Sequence, residues 1–175
     1  MKRTIILVFL LIFSFSSCTG FESVEEYNKR NTTKKSNITA FISIDCKDAL
    51  NNKNLLDEAV EKALPKDGII LKDYKASVAK DETAYSLVLK VAKNNNIQID
   101  CLSPEESSYN TAYIKGIGNL YEKDCGKNSG WIFYVNGVSS QVGCSDYYVK
   151  NNDVIEFTYV CDINKLYKKE EKWES

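Results

Sequence analysis

The sequence contains no histidine among its 175 residues, and this absence removes several classes of function at once. Histidine is the commonest general base and the commonest metal ligand in proteins. Catalysis by a Ser-His-Asp or a Cys-His arrangement is therefore excluded. Nothing in the sequence pattern brings two carboxylates together for acid–base work either, so we predict a protein that is not an enzyme.

The sequence also lacks an excess of positive charge and any CxxC motif. A nucleic-acid partner would need a basic patch, and the formal net charge is −1, so no nucleic acid is expected. Asp124, Asp146, Asp153 and Glu156 offer oxygen atoms, but they do not alternate densely as the ligands of a calcium loop do. We therefore predict no metal site and no cofactor.

The N-terminus has the order of a secretory signal. Lys2 and Arg3 form a basic head, and the apolar run over residues 5–13 is shorter than the roughly 20 residues of a membrane span. The small residues before Cys18 resemble a bacterial lipobox, which implies cleavage after residues 1–17 and lipidation of Cys18. An ordinary secretory signal is the alternative. We expect an extracytoplasmic protein held at the cell membrane by a lipid anchor.

Hydrophobic patterns divide the rest of the chain into three parts. Residues 18–38 are polar and are predicted to form a flexible tether, and residues 163–175 form a charged tail. Residues 39–162 carry the folded domain, in which several strand patterns surround one strong helix, so the fold class is α+β. Strands are predicted over residues 39–46, 68–71, 75–79, 97–102, 112–121 and 153–161, and helices over residues 54–64 and 83–94.

One hairpin dominates this pattern. Trp131, Phe133 and Val135 fall on one face of a strand, and Ile132 and Tyr134 fall on the other face. The Asn-Gly pair that follows is the strongest short-range signal for a tight turn. The ligand-binding candidates cluster around this hairpin, and they are Trp131, Tyr134, Asn136, Tyr147 and Tyr148. The alternative for Trp131 or Phe133 is a place in the core of the sheet, because half of a strand normally faces inward.

Five motifs in this part of the chain occur in an order that resembles a known family. They are Tyr113-Ile-Lys-Gly-Ile-Gly-Asn-Leu-Tyr, Asp124-Cys-Gly, Ser129-Gly-Trp-Ile-Phe-Tyr-Val-Asn-Gly, Gly143-Cys-Ser and Asn152-Asp-Val-Ile-Glu-Phe-Thr-Tyr. Together they resemble the transcobalamin-like C-terminal domain of bacterial surface lipoproteins, over residues 39–162. The resemblance implies a β-grasp-like mixed sheet packed on one main helix. In vitamin B12 carriers the matching domain closes over one side of the corrinoid.

The resemblance also implies a pairing of cysteines, which are more often bridged than catalytic outside the cytosol. A β-grasp places its first and last strands side by side, so a Cys46–Cys161 bridge is expected. The hairpin would return Cys144 to the neighbourhood of Cys125, so a Cys125–Cys144 bridge is expected as well. Cys101 is then left over, in a structural role.

The expected function is non-catalytic ligand binding at the cell surface. The resemblance implies a small-molecule ligand, with a corrinoid taken up for transport as the first candidate. The alternatives are a structural or adhesion module that docks to another surface protein or glycan, and a metal-binding surface protein. A concave aromatic pocket favours binding of a small molecule, and a flat patch or an open sheet edge favours docking to a surface protein.

Overall fold

The strand patterns of the sequence assemble into two sheets within residues 37–165, which the computed structural model describes. The strands are β1 (Ile38–Asp45), β2 (Ile69–Val78), β3 (Ile99–Leu102), β4 (Tyr113–Ile117), β5 (Leu120–Tyr121), β6 (Gly130–Val135), β7 (Val138–Ser139) and β8 (Val154–Val160). The α-helices of this part of the chain are α1 (Lys47–Asn51), α2 (Glu58–Ala63) and α3 (Ala84–Asn94). The fold is α+β, as predicted.

The larger sheet is mixed and open, with the strand order β2-β1-β8-β6-β7. The first and last strands, β1 and β8, lie side by side in parallel, with Phe41 opposite Val154 and Asp45 opposite Thr158. The smaller sheet has the order β3-β4-β5. The prediction that the first and last strands lie side by side is confirmed.

Helix α3 supplies the other side of the main core. Thr83 caps it, because its hydroxyl accepts the N–H of Ser86 at 3.2 Å. The predicted apolar stripe is buried, and it consists of Ala84, Leu87, Val88, Val91 and Ala92. All of these except Ala92 pack in one cluster with the inward residues of β1 and β8, such as Ile42 and Phe157.

The region before β2 differs from its prediction as one helix over residues 54–64. A 3-10 turn over Lys53–Leu55 ends at Leu56, whose backbone is extended (φ −91°, ψ 150°), and α2 begins only after Asp57. No residue of α2 is buried, so packing does not force the two pieces into one helix. The short helix α1 was not predicted.

The two strands predicted over residues 68–71 and 75–79 are one strand, β2. The register with β1 shifts between Ile42 and Ile44, and Asp73 takes a positive φ of 43° at this irregularity. The Ser43 hydroxyl accepts the N–H of Asp73 at 3.0 Å and so replaces part of the interrupted ladder. The polar residues at this point therefore mark a bulge within one strand.

The disulfide pairing also differs from the prediction. The structure joins Cys125 to Cys161, with Cα atoms 5.1 Å apart, and Cys46, Cys101 and Cys144 are free thiols. Both expected bridges, Cys46–Cys161 and Cys125–Cys144, are therefore wrong.

The register of the strands gives the reason. The pairing of β1 with β8 ends with Asp45 opposite Thr158, so Cys161 lies beyond the end of β1, where its N–H donates to Asp48 at 2.8 Å. Cys144 lies beside the start of α3 instead, and its carbonyl accepts the N–H of Tyr85 at 2.9 Å.

Several predictions fall outside the described residues. The signal over residues 1–17, the lipidation at Cys18, nearly all of the tether over residues 18–38 and most of the tail over residues 163–175 belong to this group. Among the helices of residues 37–165, none has the length and apolar character that a membrane crossing requires.

Candidate functional site

A cleft opens between the facing edges of the two sheets, and we call it the β4–β6 cleft. Its volume is about 160 Å³. The residues that line it come from three separate segments and from β8, and they are Ala112, Tyr113, Ile114, Trp131, Ile132, Phe133, Ser139, Ser140, Gly143, Cys144 and Phe157. The cleft is concave, as small-molecule sites usually are, and its lining exposes both polar and apolar surface.

Strand β6 forms one wall of the β4–β6 cleft. Trp131 packs edge-on against Tyr159, with ring centroids 5.3 Å apart, and its indole N–H donates to the carbonyl of Leu120 at 3.0 Å. Phe133 stacks against Phe157, with ring centroids 5.7 Å apart. These contacts fix both aromatic rings, so this wall of the cleft is preformed.

Strand β4 forms the opposite wall. The hydroxyl of Tyr113 donates a hydrogen bond to the carboxylate of Glu122, and its ring lies 5.8 Å from the ring of Tyr109. Burial, this hydrogen bond and the nearby carboxylate charge raise the pKa of Tyr113 above its usual range. Tyr113 therefore stays neutral, and its partner carboxylate is already engaged.

The segment from Ser139 to Ser145 closes one end of the cleft. The N–H of Ser140 donates to the carbonyl of Phe133 at 3.1 Å, and the N–H of Ala112 donates to the Ser145 hydroxyl at 2.9 Å. Gly143 permits this approach, because a Cβ atom there would lie 1.7 Å from the Thr111 hydroxyl oxygen. The segment thus ties the hairpin to the start of β4.

Cys144 lies at the floor of this end as a buried free thiol. Burial raises the pKa of its thiol to about 12, and the nearby Cys101 and Asp146 act in the same direction. A thiol with so high a pKa is a poor nucleophile, because the thiolate is the reactive form. The cleft therefore offers no activated cysteine.

Three exposed apolar residues contact a lining residue or adjoin one in sequence, and we call them the rim. Tyr109 contacts the lining residue Tyr113, and Val138 and Val142 are chain neighbours of lining residues. Their side chains are 70%, 69% and 50% exposed, respectively. A ligand or partner wider than the cleft would therefore meet apolar surface on its rim.

The predicted ligand-binding residues do not all reach this site. Trp131 lines the cleft, although its ring is also part of the core, which was its alternative assignment. Tyr134 lies on the same strand, β6, but does not line the cleft. Tyr148 is 59% exposed and bridges to Thr83 at the start of α3.

Asn136 and Tyr147 are engaged with a buried carboxylate instead. The Asn136 side chain donates to Asp153 at 3.0 Å, and its carbonyl oxygen accepts the N–H of Val154 at 2.9 Å. The Tyr147 hydroxyl donates to the other oxygen of Asp153 at 2.8 Å. Both polar ends of Asn136 are thus used to hold the turn, and Tyr147 holds the loop before β8.

Residues 112–114 and 139–144 of the lining were not predicted as site residues. Their sequence signals were the motif that begins at Tyr113 and the Gly143-Cys-Ser motif, which the family resemblance had included. Within residues 37–165 no group of three or more His, Cys, Asp or Glu side chains is arranged to hold a metal ion.

Comparisons with known proteins find a matching family profile and similar solved structures. The sequence profile of a family described as a domain of unknown function (DUF4430) matches residues 81–160. The crystal structure of haptocorrin in complex with Cbi is similar at 14% identity and a TM-score of 0.51, over 74% of this chain and 26% of the haptocorrin chain. A search of curated proteins finds no match.

A second similar structure comes from Ruminococcus gnavus ATCC 29149 and is described as that of a proposed metal-binding protein. It is 15% identical over 70% of this chain and 94% of its own, with a TM-score of 0.38, which carries no argument here. The likeness to haptocorrin supports a transcobalamin-like fold, and at this identity it shows the fold alone. This chain corresponds to about a quarter of the haptocorrin chain.

Proposed function

We propose that this chain is a non-catalytic, ligand-binding domain of the cell surface, and that its ligand binds at the β4–β6 cleft. The observation that carries the proposal is the cleft itself, a preformed opening between two sheets with fixed aromatic walls and an apolar rim. A corrinoid is the first ligand to test, since the haptocorrin structure of similar fold holds Cbi. A β-grasp-like arrangement of the sheet on α3 is part of this proposal.

The size of the cleft limits how such a ligand would bind. A volume of about 160 Å³ is below the roughly 300–1,000 Å³ of pockets that enclose a drug-sized ligand. A flat ligand larger than that would insert one edge and cover the rim at Tyr109, Val138 and Val142. Its other face would remain open to solvent or to a partner protein.

The location at the cell surface is also part of the proposal. The Cys125–Cys161 disulfide is typical of proteins outside the cytosol. The basic head and the apolar run before Cys18 support export and a lipid anchor. Residues 18–38 would then act as the tether between the membrane and the domain.

The exposed rim also suits a second function, docking to another surface protein. Tyr109, Val138 and Val142 would then be covered by protein, and the cleft would accept one side chain of the partner. The two functions differ in one respect, because a docking module would not bind small molecules on its own.

Titration of the purified chain with cobinamide and with cobalamin, followed by visible absorbance, tests the proposal. We expect a saturable spectral change, and we expect Ser139→Trp to weaken binding by about tenfold or more, because the indole would fill the cleft. Ser77→Trp is the matched control, since Ser77 is an exposed strand residue of β2 outside the cleft. Absence of binding at millimolar concentration would remove the corrinoid proposal.

A further inference from the structure

The tip of the hairpin holds an asparagine followed by a glycine, Asn136 and Gly137, and both residues are exposed. A Cβ atom built on Gly137 would meet no atom within 4 Å, and no acceptor in residues 37–165 is bonded to its N–H. The main-chain nitrogen of Gly137 is therefore unshielded. It follows directly after a side-chain amide, and its attack on the carbon of that amide would close a five-membered ring.

The native contacts of Asn136 oppose this attack. Its side-chain nitrogen donates to Asp153 at 3.0 Å, and its side-chain carbonyl accepts the N–H of Val154 at 2.9 Å. Ring closure makes the side-chain carbon tetrahedral and expels the amide nitrogen, so it breaks the contact with Asp153. The reaction therefore depends on opening of the turn, a local motion of the kind that native proteins undergo.

The carboxylate of Asp153 sets the strength of this protection. It is 5% exposed, and it also accepts hydrogen bonds from the Tyr147 hydroxyl and from the N–H of Lys150, each at 2.8 Å. These donors hold the carboxylate in the orientation that binds the Asn136 amide. Loss of the Tyr147 donor should therefore loosen the tip of the hairpin and open Asn136 to attack more often.

The product of the reaction would place a second negative charge beside Asp153. A carboxylate at residue 136 would have an oxygen where the amide nitrogen now lies, 3.0 Å from Asp153. The titratable neighbours are Tyr147, which is neutral at neutral pH, and Lys150, whose Nζ lies 6.0 Å from the centroid of the Tyr147 ring. No ion pair engages Asp153 in the described part of the chain. Two carboxylates at this distance repel, so the product cannot restore the contact.

We propose that Asn136 is a site of spontaneous modification to aspartate or isoaspartate, and that this reaction opens the hairpin at its tip. The Gly137 nitrogen bonds to the side-chain carbon of Asn136, and the amide nitrogen leaves as ammonia with the proton of the Gly137 N–H. Water then opens the ring, at the side-chain carbon to give aspartate or at the main-chain carbon to give isoaspartate.

The consequence reaches the β4–β6 cleft, because this hairpin carries one of its walls. Isoaspartate adds a carbon to the main chain, which does not fit a two-residue turn. Aspartate keeps the main chain but meets the charge of Asp153. The proposal does not rest on the ligand-binding function, since its chemistry needs only the chain and water.

Incubation of the full chain in warm, mildly alkaline buffer tests the site, with peptide mapping by mass spectrometry and enzymatic methylation of isoaspartate as readouts. We expect modification at Asn136 in the folded wild type, and about fivefold faster modification in Tyr147→Phe, the effect of one lost hydrogen bond on the opening equilibrium. Tyr148→Phe, at an exposed position, should match the wild type. The proposal is overturned if the native chain stays unmodified while the chain unfolded in guanidinium reacts, or if wild type and Tyr147→Phe react equally fast.

Asn136→Asp, which reproduces one product, tests the effect on the hairpin. Two facing carboxylates bind a proton more readily in the folded chain than in the unfolded one, so the stability of this variant relative to wild type should fall as pH rises from acid to neutral. Asn136→Gly is the control, because it removes the same contacts without adding charge and accepts the positive φ of 53°. If both variants lost the same stability at every pH, opening by charge repulsion would be wrong.

Discussion

Asp153 organises the residues around the hairpin from a buried position. Its carboxylate accepts hydrogen bonds from Tyr147 at 2.8 Å, from the N–H of Lys150 at 2.8 Å and from Asn136 at 3.0 Å. A buried carboxylate is tolerated when its oxygens are satisfied in this way. This residue connects the tight turn, the loop before β8 and the start of β8, and it thereby holds the hairpin that carries one wall of the cleft.

Tyr147 should make stability depend on pH in the alkaline range. Burial, the hydrogen bond to Asp153 and the Asp153 charge raise the pKa of Tyr147 from 10 to about 12. Between these two pH values the unfolded chain loses the tyrosine proton and the native chain keeps it, so the free energy of unfolding falls as pH rises. Below pH 10 this contribution is constant.

Denaturant unfolding of Tyr147→Phe and wild type across this range measures the effect. The variant should be less stable at neutral pH, because Asp153 loses a donor, and its further loss between pH 10 and 12 should be smaller than that of wild type. Tyr148→Phe, at an exposed position, is the control and should follow wild type. Equal alkaline losses in Tyr147→Phe and wild type would contradict this account.

At the scale of elements, the disulfide constrains the second half of the chain. Cys125 and Cys161 are 36 residues apart in sequence, and the bond fixes the turn before β6 to the end of β8. Closing a loop of this length in the unfolded chain corresponds to about 4 kcal/mol in the chain-entropy model. Reduction should lower the free energy of unfolding by roughly that amount.

Urea unfolding with and without a reductant measures this contribution. Without reductant, Cys161→Ser should already have a lower free energy of unfolding than wild type. Its stability should not change when the reductant is added. Cys101→Ser, which removes a half-buried free thiol, should keep the wild-type response. Thiol titration shows when the wild-type chain is fully reduced. If its stability were then unchanged, the stabilising role of the Cys125–Cys161 disulfide would be refuted.

The sequence predicted those elements whose signals are local. Helix α3 has a continuous apolar stripe and a capping threonine, and the hairpin has period-two alternation ending in Asn136 and Gly137, which both take positive φ. The bulge in β2 and the break before α2 were not predicted, because each depends on contacts with distant strands or on their absence. The disulfide was mispaired for the same reason, since its partners depend on the register of β1 with β8.

At the scale of the whole molecule, the cleft is a product of topology. Its walls come from residues near 113, 131 and 140, and they meet because β6 pairs with β8 while β4 pairs with β3 in a separate sheet. A single hairpin motif predicted only the wall that contains Trp131. The facing edge of β4 and the closing segment depend on long-range pairing, which periodicity does not encode.

Amide hydrogen exchange with and without cobinamide is the most direct test of the claim that a ligand binds in the β4–β6 cleft. Added cobinamide should slow exchange at the N–H groups of Ile114 and Trp131, because both residues line the cleft that the ligand would occupy. Exchange at exposed strand residues such as Lys75 of β2 should not change. If cobinamide at saturating concentration left the exchange of Ile114 and Trp131 unaltered, the cleft would not be its binding site.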